Sequence, residues 1–359
     1  MKKFAKMSLV AAVAVAGLSN VNAASLEEAI KGVDVSGQFR YRFNEHSDAG
    51  ATSSDVEVEV TAKVPVNDMV TAVFKIDSNP NDPVDGSDTQ LDVEQYYFQY
   101  ANGPVTVLAG QQEIPGRMTD GAAGAGLVAL YNAGAFTVGA AAYDTNNVNG
   151  GLTNLLTSVI AMGSVGPVSL LGQYADVEDI GDAYNLKADA NIGPVTAGLE
   201  YTEFEADKAL GLGTASDDRS TFKAYVSGKM DIVSAKLTYA KTGDNGSGSI
   251  DNQLLKDSTE TPAEFLLWNL HTAQQKKMDL FAIDASVAVT DKISLRAAYA
   301  AGEIDDGTAA GNDVEEILGQ ISYKMSSNLT TYVRYAEYDM SSVNDTDMQR
   351  GRIEVKYSF

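Results

Sequence analysis

Apolar and polar residues alternate through most of the chain. In VDVSGQFRYRF (33–43), Val33, Val35, Phe39, Tyr41 and Phe43 fall on one face, and Asp34, Ser36, Gln38, Arg40 and Arg42 on the other. SDVEVEVTAKV (54–64) sets Val56, Val58, Val60, Ala62 and Val64 against Asp55, Glu57, Glu59, Thr61 and Lys63. A period of two is that of a β-strand with one apolar face. Similar stretches recur at 68–77, 91–101, 104–111, 126–132, 135–144 and 155–163. They continue as PVSLLGQYAD, AYNLKADANI, PVTAGLEYTEFE, RSTFKAYVSGKM, IVSAKLTYAKT, DLFAIDASVAVT, ISLRAAYAAGE, VEEILGQISYKM and NLTTYVRYAEYD. The closing RGRIEVKYSF (350–359) puts Ile353, Val355, Tyr357 and Phe359 on its apolar face. The pattern predicts about 18 strands, each near the length of about 9–11 residues that crosses a bilayer at a tilt.

The connections alternate in length. VNDM, NGPV, NAGAF, SVGPV, IGPV, KMDIV, TDKIS and SSNL are short turns of Gly, Pro, Asn and Asp. Between them lie longer polar stretches, among them NEHSDAGATSS, DSNPNDPVDGSDTQ, QEIPGRMTDGAAG, ADKALGLGTASDD and a long one at roughly 243–278. Short turns at one end and long loops at the other describe an all-β fold, a transmembrane antiparallel β-barrel of the outer-membrane type, with the turns and both termini on the periplasmic side. A soluble sandwich has no reason to sort its loops this way.

The first 23 residues, MKKFAKMSLVAAVAVAGLSNVNA, support export. Lys2, Lys3 and Lys6 precede an apolar run from Met7 to Leu18, and Val21 and Ala23 are small residues before a cleavage point. This reads as a signal peptide (1–23). The barrel then occupies 24–359, with 24–32 as a short periplasmic N-terminal segment. The chain carries 26 basic and 49 acidic residues and a formal charge of −23, more negative still once the signal lysines leave. Nucleic acid is therefore a poor partner. There is no cysteine, and His46 and His271 are far apart and lack the local spacing of a metal-ligand motif. No GxSxG or HExxH motif occurs, so no enzyme is expected. A porin passing ions and small hydrophilic solutes is the primary expectation. A structural or adhesive barrel with a closed lumen is the alternative.

In a barrel of this size the chemistry lies on the water-facing side. There the alternation places Arg40, Arg42, Asp55 and Glu57 at the start of the barrel, and Arg334, Arg350, Arg352, Glu354 and Lys356 at its end, with Arg296 nearby. Closure of the barrel makes these one basic wall. The segment QEIPGRMTDG, with Glu113, Arg117 and Asp120, is expected to bend into the lumen and set acids opposite Arg40 and Arg42. A transverse field would then cross the constriction, and acidic loops at the mouth would leave a weak cation preference. No cofactor is required. The acidic stretch 77–88, with Asp77, Asn79, Asp82, Asp85 and Asp88, offers oxygen ligands for a divalent cation such as calcium, but it lacks the glycine and closing Glu of an EF-hand. TPAEFLLWNLHTAQQKK (261–277) is compatible with a helix that caps the mouth.

Two stretches carry a family resemblance. ASLEEAIKGVDVSGQFRYRF, just after the signal, resembles the start of the major outer membrane protein of Campylobacter and its epsilonproteobacterial relatives. GQQEIPGRMTDGAAGAG resembles that family's segment before the sixth strand. The resemblance implies an 18-stranded, homotrimeric porin in the Gram-negative outer membrane, in contact with lipid and lipopolysaccharide. The closing strand with Tyr357 and Phe359 is similar to the C-terminal signature by which barrel-assembly machinery recognises its substrates.

Overall fold

The structure, a computed structural model, describes residues 32–47, 51–78, 91–117, 123–146, 154–206, 218–248, 267–272, 275–305, 312–341 and 346–359. The signal peptide, segment 24–31 and Asp120 lie outside these, as does the acidic loop apart from Asp77 and Ser78. The described residues contain 18 strands. In order they are β1 (Asp34–His46), β2 (Ala51–Pro65), β3 (Val70–Ser78), β4 (Leu91–Asn102), β5 (Val105–Glu113), β6 (Ala123–Asn132), β7 (Phe136–Asn146), β8 (Leu156–Val165) and β9 (Val168–Val177). Then follow β10 (Gly181–Ile192), β11 (Val195–Ala206), β12 (Arg219–Met230), β13 (Val233–Thr242), β14 (Asp279–Ala288), β15 (Ile293–Ile304), β16 (Asn312–Lys324), β17 (Leu329–Met340) and β18 (Thr346–Ser358).

Each strand pairs antiparallel with its neighbours in sequence, and β18 returns to pair with β1, so the sheet has no free edge. Closure is what allows a sheet to stand in hydrocarbon, where an unpaired N–H or C=O has no water to bond. The seam runs from Gln38 opposite Ser358 to His46 opposite Arg350. It ends on two backbone bonds: Gly37 N donates to Phe359 O (3.0 Å) and Phe359 N donates to Gly37 O (3.1 Å).

Several strands run further than the alternation suggested. β1 continues to His46, β6 begins at Ala123 and β18 at Thr346. These additions lie at the loop end, above the lipid, where the outer face need not be apolar and the period-two signal fades. The helix expected within 261–277 is absent from its described part, where 267–269 is a run of bends. Eight connections form the short-turn end. The loop end is not uniformly long: β9 and β10 are joined by residues 178–180 alone, with Asp179 in the left-handed region (φ 63°).

The outer face is apolar and open to lipid. Phe39, Tyr41, Leu127, Leu199, Leu237, Phe281, Ile317 and Val333 are all exposed there. Tyr100, Tyr131, Phe136, Tyr323, Tyr357 and Phe359 are exposed beside the short turns, where an aromatic girdle meets the membrane interface. Phe359 joins this girdle through its ring, 5.7 Å from Phe39 and 6.0 Å from Tyr357 between centroids. Gly37 makes room for it, since a Cβ there would stand 3.0 Å from the ring of Phe359 and 2.2 Å from Glu59 O.

Replacing Phe359 by Ala removes two ring contacts, about 0.5–1.5 kcal/mol each, at the closing seam. Heat-modifiable mobility of outer-membrane fractions is expected to show less folded barrel for Phe359→Ala, and less again for Phe359→Asp. Equal folded levels for all three proteins would refute the role given to this ring.

Candidate functional site

Inward positions share one register around the seam. Arg40 faces Glu57 and Lys356, Arg42 faces Asp55 and Glu354, and Asn44 faces Arg352. Arg40 is ion-paired with Glu57, which also accepts from Gln38 Nε2 (2.7 Å). Arg42 Nε donates to Glu354 Oε2 (2.7 Å), and so does Tyr332 OH (3.0 Å). Asn44 donates to Asp55 (2.7 Å) and accepts from Arg352 Nε (2.6 Å). Arg334 lies beside Arg352 on β17 and donates to Gln320 (2.7 Å). Arg296 pairs with Asp284 on β14 (2.8 Å). The basic wall is therefore a row of neighbouring pairs on shared register, and its members differ in partner: carboxylates hold Arg40, Arg42 and Arg296, whereas amides hold Arg334 and Arg352.

Two segments lie against the inner wall. The first follows β5. Residues 114–117 leave the strand, and Arg117 reaches Glu200 on β11 with Nε (2.5 Å) and Nη2 (3.0 Å). Glu200 also accepts from Asn185 (2.9 Å), with Lys223 Nζ 3.7 Å away. Gln173 on β9 fixes the backbone of this strap, accepting from Arg117 N (2.7 Å) and donating to Pro115 O (3.0 Å). Gly116 is required at this crossing. Its φ of +114° suits glycine, and a Cβ would stand 2.0 Å from Gln173 Oε1. Beneath the strap, Ile114 packs on Val128, Tyr143, Leu156, Ala175 and Phe204, an apolar floor on the lumen side.

The second segment is 267–272. Leu267, Trp268 and Leu270 pack on Leu280, Ala282, Ala298, Ala300, Leu318 and Ala336. Trp268 lies under three guanidinium groups, with the Cζ atoms of Arg334, Arg350 and Arg352 at 5.2, 4.6 and 5.0 Å from its ring centroid. Cation–π attraction of this kind contributes about 0.5–2 kcal/mol per pair. At the rim, outside the spanning strands, Lys277 Nζ donates to Asp305 (2.7 Å), and that carboxylate raises the lysine pKa.

The structure thus brings Arg40, Arg42, Asp55, Glu57, Arg296, Arg334, Arg352 and Glu354 onto one inner surface, with Arg117 on the strap. Glu113 does not join them. It ends β5, exposed, on the face opposite Gln112 and Ile114, and Arg40 and Arg42 meet Glu57 and Glu354 instead. Sequence reasoning missed Glu200, Trp268 and the two apolar floors. A signal existed: Val128, Leu156, Ala298, Ala300 and Leu318 are apolar residues at positions where the alternation calls for polar ones.

A closed 18-stranded barrel with an apolar outer belt, a charged lumen and segments lying across its inner wall is an outer-membrane porin. The sequence model of the Campylobacter major outer membrane protein family matches residues 1–196, and the chain belongs to that family. Its place is the Gram-negative outer membrane, in contact with lipid. No curated protein sequence matches it. Similar folds occur among Pseudomonas aeruginosa porins at 12% identity. OccK3 (OpdO) has a TM-score of 0.74, with 93% of this chain and 97% of that one covered. OpdK with vanillate gives 0.71 (92% and 99%), and OccK2 (OpdF) in complex with glucuronate 0.72 (92% and 98%).

Breaking a buried ion pair from one side costs about 3–5 kcal/mol. Arg117→Ala is therefore expected to unseat the strap and raise single-channel conductance. Arg117→Lys, which keeps the charge and loses the two-pronged geometry, falls between. Unaltered conductance in both would show that residues 114–117 do not narrow the pore.

Proposed function

We propose that this porin passes ions and small hydrophilic solutes with a weak preference for cations, set by two zones of opposite sign in series. The observation that carries the proposal is the partnering of Arg334 and Arg352. Among the described residues their hydrogen-bond acceptors are the neutral amides of Gln320 and Asn44, so no direct carboxylate contact cancels their charge. The wider approach is acidic, with 49 acids against 26 bases in the chain. Acidic loops concentrate cations at the mouth. The arginine row resists them further in, where screening is weaker than in bulk solution. Vanillate and glucuronate, bound in two of the similar structures, are both carboxylates. The arginine row favours admitting solutes of that class here too.

The double variant Arg334→Gln/Arg352→Gln keeps hydrogen-bonding capacity and removes two charges. Reversal potentials under a salt gradient are expected to show the cation-to-anion permeability ratio rising about two-fold or more. No change, or a move toward anions, would reject the arginine row as a selectivity element.

We also propose a homotrimer with one pore per protomer. Outward-facing Ala129, Ala140 and Ala142 keep the wall low over β6 and β7, which suits close contact with a second barrel. Mass measurement in mild detergent is expected to give trimers, and monomers alone would remove the proposal. Tyr357 and Phe359 are proposed as the groups that assembly machinery recognises.

A further inference from the structure

Glu316 is fully buried in a wall that otherwise serves water-borne solutes. It lies on the inward register of β16, between Ala300 on β15 and Tyr338 on β17. None of the ion pairs described above includes it. Four N–H groups of the second inserted segment converge on its two oxygens. Trp268 N (3.0 Å) and Asn269 Nδ2 (3.1 Å) donate to Oε1, and Asn269 N and Leu270 N (both 2.8 Å) donate to Oε2. Leu267 N donates to Leu270 O (3.2 Å), which closes the turn that aims these amides one way. Successive backbone N–H groups arranged so form a nest for an anion, and here the anion is a side chain of the barrel wall.

We infer that Glu316 is the positioning residue that sets the pore's constriction, acting through Trp268. It touches no permeating solute. It pins the turn 267–270, the turn presents Trp268, and Trp268 gathers Arg334, Arg350 and Arg352 around one ring. Those three charges then stand no farther apart than roughly a Debye length at 0.1 M salt. Asn269 couples the two halves, since its side-chain nitrogen donates to Glu316 while its oxygen accepts from Arg350 Nη1 (3.2 Å). The small residues Ala282, Ala298, Ala300 and Ala336 give the turn its seat but no direction. Only the carboxylate supplies direction, because two oxygens must receive four donors. A glutamine cannot replace it: whichever way its amide is turned, an NH2 group faces two N–H donors.

Trp268 is the single tryptophan of the chain, so its emission reports the position of the turn. In Glu316→Gln, refolded and checked by heat-modifiable mobility, Trp268 emission is expected to shift to the red and become quenchable by acrylamide. Single-channel conductance is expected to rise roughly two-fold as the turn leaves the wall. Deleting 267–272 should raise conductance similarly, and adding Glu316→Gln to that deletion should change nothing more. A residue that merely stabilised the barrel would act equally in both backgrounds. If Glu316→Gln does not fold, Asn269→Ala, which removes one donor to the carboxylate and the acceptor of Arg350, should give the same changes at smaller amplitude. Shielded Trp268 with ordinary conductance in the folded variant, or an equal conductance rise with and without 267–272, would overturn the inference.

Discussion

Everything in this barrel follows from the absence of water around its strands. A backbone N–H or C=O in hydrocarbon must find its partner within the protein, so the sheet closes on itself and every strand has two neighbours. Closure divides side chains into two populations with no middle ground. Residues at one parity meet acyl chains, and residues at the other meet the lumen. The parity is shared across strands by register, which is why Arg40, Arg42, Arg352 and Glu354, far apart in sequence, form one surface.

Within the lumen the same parity is used in two ways. Around the seam, inward residues are charged and satisfied by cross-strand partners. Where a loop segment lies on the wall, inward residues become small or apolar, and one buried carboxylate anchors the visitor. Glu200 receives Arg117 from the strap after β5, and Glu316 receives the amides of the turn 267–270. Both anchors are almost wholly buried, and both replace lost hydration with several directed donors. The two straps thus share one construction, an apolar floor plus a polar fastening.

How much of this was legible follows from the range of each interaction. Strand identity is written locally, in stretches such as Val56, Val58 and Val60 against Glu57 and Glu59, and could be read residue by residue. Strand number, closure and the sidedness of the ends came with it. The entry of the segment after β5 into the lumen is suggested by its glycines, but its acids Glu113 and Asp120 are expected opposite Arg40 and Arg42, and the sequence assigns Arg117 no partner. The partner is Glu200, 83 residues away, and no local pattern names it. The stretch around Trp268 is compatible in sequence with a helix that caps the mouth. A carboxylate on a distant strand holds its described part in bends instead.

The seam between β1 and β18 carries a consequence for time as well as for shape. Arg42 and Glu354 are 312 residues apart, and Gly37 and Phe359 farther still, so this is the contact with the largest chain loop to close. Other neighbouring strands are hairpins and can zip in order of synthesis, whereas the seam must wait for its last strand. Until then β1 and the latest strand to arrive each expose an open row of amides, the most adhesive surface a protein can present. The barrel is therefore most vulnerable to mispairing with other chains in the interval before residues 346–359 are delivered, and that interval ends with one short zipper finishing at Phe359.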